Sequence, residues 1–257
     1  MVETDPVLAE LISDVRDDPE TIGLLLHGSR ALGTERPDSD YDLIRVVTER
    51  AYLARKVRGA LVDRTSRDVG VKTDVLYQCL SRIEPYVTEP GWYTPTYLSA
   101  RILFDRTGEI GILMTRLAAE AGRIALSRTA AAYDDYLNCF VRSMKAARRG
   151  DEIGRRLHAA ESALALIRLL VGLESSWPAY HDNLAPVLSQ VELAQGWPAG
   201  FLADALVRLV RDADPTFQQE LEARVEKLMS SRHIQHEWGN DLEPLKALKF
   251  TGGGDER

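Results

Sequence analysis

The sequence predicts an α+β protein, an N-terminal mixed β-sheet with flanking helices followed by a C-terminal helical bundle. Two observations carry this. Short apolar runs rich in Leu and β-branched residues, bounded by turn residues, stop after Phe104, and long stretches with apolar residues at three- and four-residue spacing take over from Ser127. Separate segments of strands and then helices are the pattern of an α+β chain rather than of a repeating βαβ one.

The strands are expected at Ile22–His27, Tyr41–Thr48, Thr73–Cys79 and Arg101–Phe104. A helix is predicted over Arg50–Val62, where Ala51, Leu53, Val57 and Leu61 approach helical spacing, and another over Glu109–Ala119 after the turn Arg106-Thr107-Gly108. The bundle helices follow over Ala131–Arg149, Glu152–Leu173, His181–Leu193, Ala199–Arg211 and Pro215–Met229. In the second of these, Ile153, Leu157, Leu164, Ile167 and Val171 form the stripe expected to face a bundle core. Gly150 and Gly172 read as helix ends, and Trp177-Pro178 and Trp197-Pro198 as connections. The organisation predicted is a domain over 1–120, a helical domain over 121–250 and a disordered tail over 251–257, Thr-Gly-Gly-Gly-Asp-Glu-Arg.

Charge narrows the partners. The 257 residues carry 32 Lys plus Arg against 39 Asp plus Glu, a net charge of -7, which repels a polyanion, so nucleic acid is not an expected partner. No segment reaches membrane-spanning length without charges, and the start of the chain is acidic rather than leader-like, so a cytoplasmic protein is expected. Cys79 and Cys139 lack a metal-ligand spacing and are expected as buried, reduced thiols.

The chemistry concentrates in residues 24–44, LLLHGSRALGTERPDSDYDLI. A buried strand runs into Gly28-Ser29, where the missing side chain lets backbone N–H groups approach a phosphate at the start of a short helix, and Ser29 adds a hydroxyl donor. A second strand opens with Asp40 and Asp42, whose i, i+2 spacing sends both carboxylates to one side and Tyr41 to the other. Two neighbouring carboxylates repel unless a cation shares them, which asks for a divalent ion such as Mg²⁺. Asp74 falls inside the next apolar run, and if that strand lies beside the second, it joins the pair. Three acids around two metals serve in-line displacement at phosphorus.

Gly28-Ser29, ten intervening residues (30–39), Asp40-Tyr41-Asp42 and a later strand acid resemble the signature of the polymerase-beta-like nucleotidyltransferase superfamily. The order of the two halves, with Tyr136–Lys145 and Arg156–Ser162, is similar to aminoglycoside nucleotidyltransferases of the kanamycin type. The resemblance implies an enzyme that uses two Mg²⁺ ions to transfer a nucleoside monophosphate, AMP from ATP in the first instance, to a hydroxyl of an aminoglycoside-like antibiotic or other small acceptor. It implies that Gly28 and Ser29 hold the triphosphate, that Asp40 and Asp42 ligate both metals, and that Asp74 completes one site or acts as base. Where the kanamycin type has a glutamate general base and, one turn on, a lysine, this chain has Asn138 and Arg142, so the base is Asp74 or Glu161 from the next helix. An antibiotic-resistance role, a site in the cleft between the halves and a homodimer are further expectations of the resemblance. Nucleotidylation of a protein or tRNA, as in toxin–antitoxin systems, and nucleotide binding without turnover are the alternatives.

Other residues carry two readings each. Arg30, with Ser39 beside the acid pair, is a phosphate contact or an exposed helix residue, and Arg142 and Lys145 reach the triphosphate or form a solvated face. Glu161 interrupts a small, apolar stretch and is placed equally in a cleft or on the surface. Asp134, Asp135, Asp151, Glu152 and Glu161 would suit a cationic acceptor. His27 reads as a strand residue under the site, and Trp92, Tyr93 and Tyr97 as packing or as a ring-stacking group.

Overall fold

The computed structural model describes residues 5–67, 71–238 and 242–250; the predicted tail, 251–257, lies outside them. The chain divides into two compact units, Met1–Ala121 and Gly122–Arg257.

The first unit is built on a mixed five-stranded sheet in the order β3-β4-β2-β1-β5. The strands are β1 (Thr21–His27), β2 (Tyr41–Val47), β3 (Val62–Arg67), β4 (Val71–Gln78) and β5 (Arg101–Asp105). Only β2 and β4 run parallel; the other three pairs are antiparallel. The expected strands are present within two residues at each end. β3, Val-Asp-Arg-Thr-Ser-Arg, is additional: an edge strand needs only one bonded neighbour and tolerates a polar sequence without apolar alternation.

Alternation along the strands sorts the two faces. Leu24, Leu26, Tyr41 and Leu43 pack on Leu8, Leu11 and Val15 of α1 (Pro6–Arg16). Leu25, Ile44 and Val46 pack on the opposite side with Ile83, Val87, Tyr97, Ile110, Leu113 and Leu117. These come from α4 (Leu80–Ile83), α5 (Pro85–Thr88), α6 (Thr94–Ser99) and α7 (Glu109–Ser127). Between β1 and β2 lies the short α2 (Gly28–Leu32), and α3 (Glu49–Val57) follows β2. α3 ends five residues before the predicted Val62, because Gly59 takes φ +68° and the chain must turn into β3. Of the predicted apolar residues, Ala51 and Leu61 pack beside the buried Tyr52, whereas Leu53 and Val57 are exposed.

The second unit contains α8 (Thr129–Arg148), α9 (Glu152–Leu173), α10 (Leu184–Gln195), α11 (Phe201–Arg211), α12 (Pro215–Ser231) and α13 (Glu243–Lys246). Its core joins Tyr133, Tyr136, Leu137, Phe140 and Met144 of α8 to Ala163, Leu166, Leu169 and Leu170 of α9 and to Leu209, Leu221 and Val225. The stripe predicted on α9 is corrected here: Ile167 and Val171 are buried, but Ile153, Leu157 and Leu164 are exposed. The buried face instead runs through Ala159, Ser162, Ala163 and Leu166, whose small members admit α8 closely. Gly150, at φ +70°, ends α8, and Gly172 lies one residue before the end of α9, where an added Cβ would press on the Ala125 carbonyl oxygen at 3.0 Å. Cys79 is buried and Cys139 only partly so, and both are free thiols. No helix of the described residues is long and apolar enough to cross a membrane.

Candidate active site

The sheet register assembles the candidate site. Asp42 opposes Asp74 across the parallel β2–β4 pair, His27 opposes Asp42 across β1–β2, and Arg64 of β3 opposes Asp74. Paired residues share a sheet face, so His27, Asp42, Asp74 and Arg64 form one row over four strands. Leu25 and Ile44, two residues along from His27 and Asp42, belong to the core under α4–α7, so the row sits where that core ends at the strand termini. β4 is an interior strand, covered by β3, which removes the alternative of Asp74 as an edge-strand acid.

Asp40 precedes β2 and is exposed, Asp42 is half-buried. Desolvation, then the charge of Asp74, then that of Asp40 push the Asp42 carboxyl above its usual range. Burial lowers the His27 imidazole, with Asp74 opposing, which favours its neutral form. Asp74 Oδ2 accepts a hydrogen bond from Arg64 Nε at 3.0 Å. The Arg64 side chain is 78% exposed and that of Asp74 34%, so this pair is well screened. Among the described residues no group of three or more His, Cys, Asp or Glu side chains is drawn together closely enough to hold a metal ion. The chemistry of the set nonetheless suits a hard divalent cation: the donors are carboxylate oxygens, and the charge of Asp42 is opposed by its two neighbours.

The approach to these acids is shaped by Gly28. It takes φ +68°, and a Cβ at this position would collide with Asp42 Oδ2. Backbone therefore lies against carboxylate, a closeness only glycine permits. Among the described residues the Ser29 hydroxyl makes no hydrogen bond, which leaves it available as a donor. Arg30 has a local task. Its Nε and Nη2 donate to the Ser39 carbonyl at 3.1 and 2.8 Å, and its guanidinium lies 3.9 Å above the Tyr41 ring. The Ser39 hydroxyl accepts from the Arg36 N–H at 2.9 Å. Both residues thus fasten the 33–40 loop that carries Asp40 into β2.

The remaining candidates belong to the second unit. Glu161, Arg142 and Lys145 are exposed on α9 and α8. Glu161 Oε2 bonds His158 Nδ1 at 2.9 Å, and Arg142 Nε donates to Asn138 Oδ1 at 3.1 Å. In the first unit Tyr97 is buried against Tyr86, while Trp92 is 76% exposed.

The sequence profile of the nucleotidyltransferase domain family matches residues 8–98. The fold resembles a solved nucleotidyltransferase-like protein from Exiguobacterium sibiricum 255-15, with a TM-score of 0.49 and 14% identity over 87% of this chain and 73% of that one. No curated protein matches in sequence. The matched residues, 8–98, hold Gly28, Asp40, Asp42 and Asp74, and a helical region follows them.

Proposed function

We propose that the protein transfers a nucleoside monophosphate, AMP from ATP, to a hydroxyl of a small molecule and releases pyrophosphate. The observation carrying this reading is the in-register pair Asp42 and Asp74, with Gly28 backbone pressed against Asp42. In the step proposed, the acceptor oxygen forms a bond to the α-phosphorus while the bond from that phosphorus to the bridging oxygen breaks. Asp40 and Asp42 would hold two Mg²⁺ ions, with Asp74 completing one site; bound there, the ions stabilise charge on the attacking and departing oxygens. Gly28 and Ser29 bind phosphate oxygens, and Arg30 and Ser39 support them by fastening the loop. The hydroxyl proton passes to Asp74 or to Glu161. We further propose that residues 1–120 do the chemistry and 121–250 contact the acceptor.

The resemblance points first to aminoglycoside-like acceptors, in keeping with a resistance role. The acids that would meet a polycation are largely engaged locally, which weakens that choice. Asp134 accepts from the Glu237 N–H, Asp151 caps α9, Glu152 pairs with Arg155 and Arg156, and Glu161 bonds His158. The acceptor panel therefore needs anionic members too. A second reading, nucleotide binding without turnover, draws on the Arg64–Asp74 ion pair, which occupies the third acid.

The test is pyrophosphate release with Mg²⁺ and each of the four nucleoside triphosphates, against aminoglycosides and phosphorylated sugars, with Asp42→Asn as control. Acceptor-dependent release lost in the control supports the transferase. Tight nucleotide binding with no release from any acceptor selects the second reading.

A further inference from the structure

The helical unit contains a concave pocket of about 220 Å³ whose wall is cationic. Arg142 and Lys145 of α8 and Arg149, which caps its C-terminus, line it at i, i+3 and i+7. His158 closes it from α9, and Trp238, from the segment after α12, supplies an aromatic wall. Neutralisation within the protein is slight. Arg142 bonds the uncharged Asn138, and Arg149 lies 3.9 Å from Asp151, whose carboxylate also caps α9. Lys145 has no hydrogen-bonded or ion-paired side-chain partner among the described residues.

Like charges three and four residues apart on a helix repel, and this chain has seven more acids than bases (39 against 32). Three cations gathered around one cavity, in a chain of that balance, form a local field opposite to that of the whole molecule. An anion placed among them relieves the repulsion, and a phosphate group offers oxygens to all three at once. The volume is below the roughly 300 Å³ at which pockets for drug-sized ligands begin, so it suits a phosphate with a small attached group rather than a whole nucleotide. Trp238 then packs against that group.

We propose that this pocket binds a separate, phosphate-bearing small molecule, with the anion on Arg142, Lys145 and Arg149. Its use as an acceptor subsite rests on the transferase reading above; the binding itself does not.

The experiment is titration of the full chain with inorganic pyrophosphate and with glucose 6-phosphate, free of divalent metal, followed by calorimetry. Binding of at least one is expected, weakened about tenfold or more in Lys145→Gln and in Arg149→Gln. Glucose in place of glucose 6-phosphate is expected not to bind. Simultaneous binding of ATP and glucose 6-phosphate is expected, and ATP that displaces glucose 6-phosphate overturns the assignment to a separate phosphorylated molecule. Failure of both anions to bind, or binding that both the Lys145→Gln and Arg149→Gln variants leave intact, overturns the proposal. Anion binding dependent on Lys145, together with no pyrophosphate release under any condition, would remove the transferase reading and leave the pocket standing.

Discussion

Asp42 and Asp74 stand directly opposite each other on neighbouring parallel strands, and burial followed by the charge of Asp74 raises the cost of ionising Asp42. Cross-strand like charges are destabilising by roughly 0.2–1 kcal/mol. Without divalent metal, Asp42→Asn is therefore expected to stabilise the first unit by about that amount in urea unfolding at pH 7.5. Mg²⁺ should stabilise the wild type and leave the variant unmoved, and pyrophosphate release should fall at least about a hundredfold. A variant that unfolds earlier than wild type in chelator would contradict the repulsion.

Gly28→Ala tests the close approach of backbone to acid. A left-handed non-glycine residue costs about 1–3 kcal/mol, and the new Cβ must also displace the Asp42 carboxylate. The expected result is a folded but less stable protein with Mg²⁺ binding weakened alongside activity. Stability loss with Mg²⁺ affinity unchanged would show that Gly28 serves the turn alone.

How far the site was legible depends on which relationships are local. Gly28, Asp40 and Asp42 lie within fifteen residues, and their alternation along a strand is set by backbone geometry, so sequence alone places them. The row partners His27 and Arg64 depend on register between strands far apart in sequence. β3 in particular is a polar edge strand with no apolar alternation to announce it. The sequence does carry a signal for His27, which directly precedes Gly28 at the end of a buried strand. The α9 stripe misled because that helix carries apolar residues on two faces, and only packing against α8 selects the one through Ala159 and Ala163. The cationic pocket was half visible, as Arg142 and Lys145. Trp238 and His158 join it only through tertiary structure.

Arg30→Ala is expected to loosen the 33–40 loop rather than to remove a phosphate contact. It deletes two hydrogen bonds to the Ser39 carbonyl and the cation–π contact with Tyr41, together roughly 1–2 kcal/mol. Backbone amides of this loop should exchange faster with solvent in the variant, with the β1–β2 amides unchanged. A lower nucleotide affinity with unaltered exchange would make Arg30 a direct phosphate ligand.

Glu222 of α12 is fully buried, with Lys246 Nζ 3.7 Å away. Desolvation pushes its carboxyl from 4.5 up to about 8, with Lys246 opposing. A raised folded-state value means the native protein binds this proton more tightly than the unfolded chain. The stabilisation is thus complete below about 4.5 and is lost as pH rises through about 8. Glu222→Gln should flatten the fall in unfolding free energy between pH 6 and 9. An equal fall in the variant would place the titration elsewhere.

Arg64 occupies Asp74, so a metal ion that needs Asp74 must compete with a guanidinium for it. The pair is mostly exposed, and such pairs contribute about 0.2–1 kcal/mol. Removing the competitor in Arg64→Gln is expected to tighten Mg²⁺ binding by up to about fivefold in calorimetry at low ionic strength, with the gain shrinking as salt is added. Asp74→Asn should abolish that gain, since Arg64 then has no carboxylate to withhold. Weaker Mg²⁺ binding in Arg64→Gln would mean instead that the guanidinium holds Asp74 in its metal-ready position, and the ion pair would then support the site rather than compete with it.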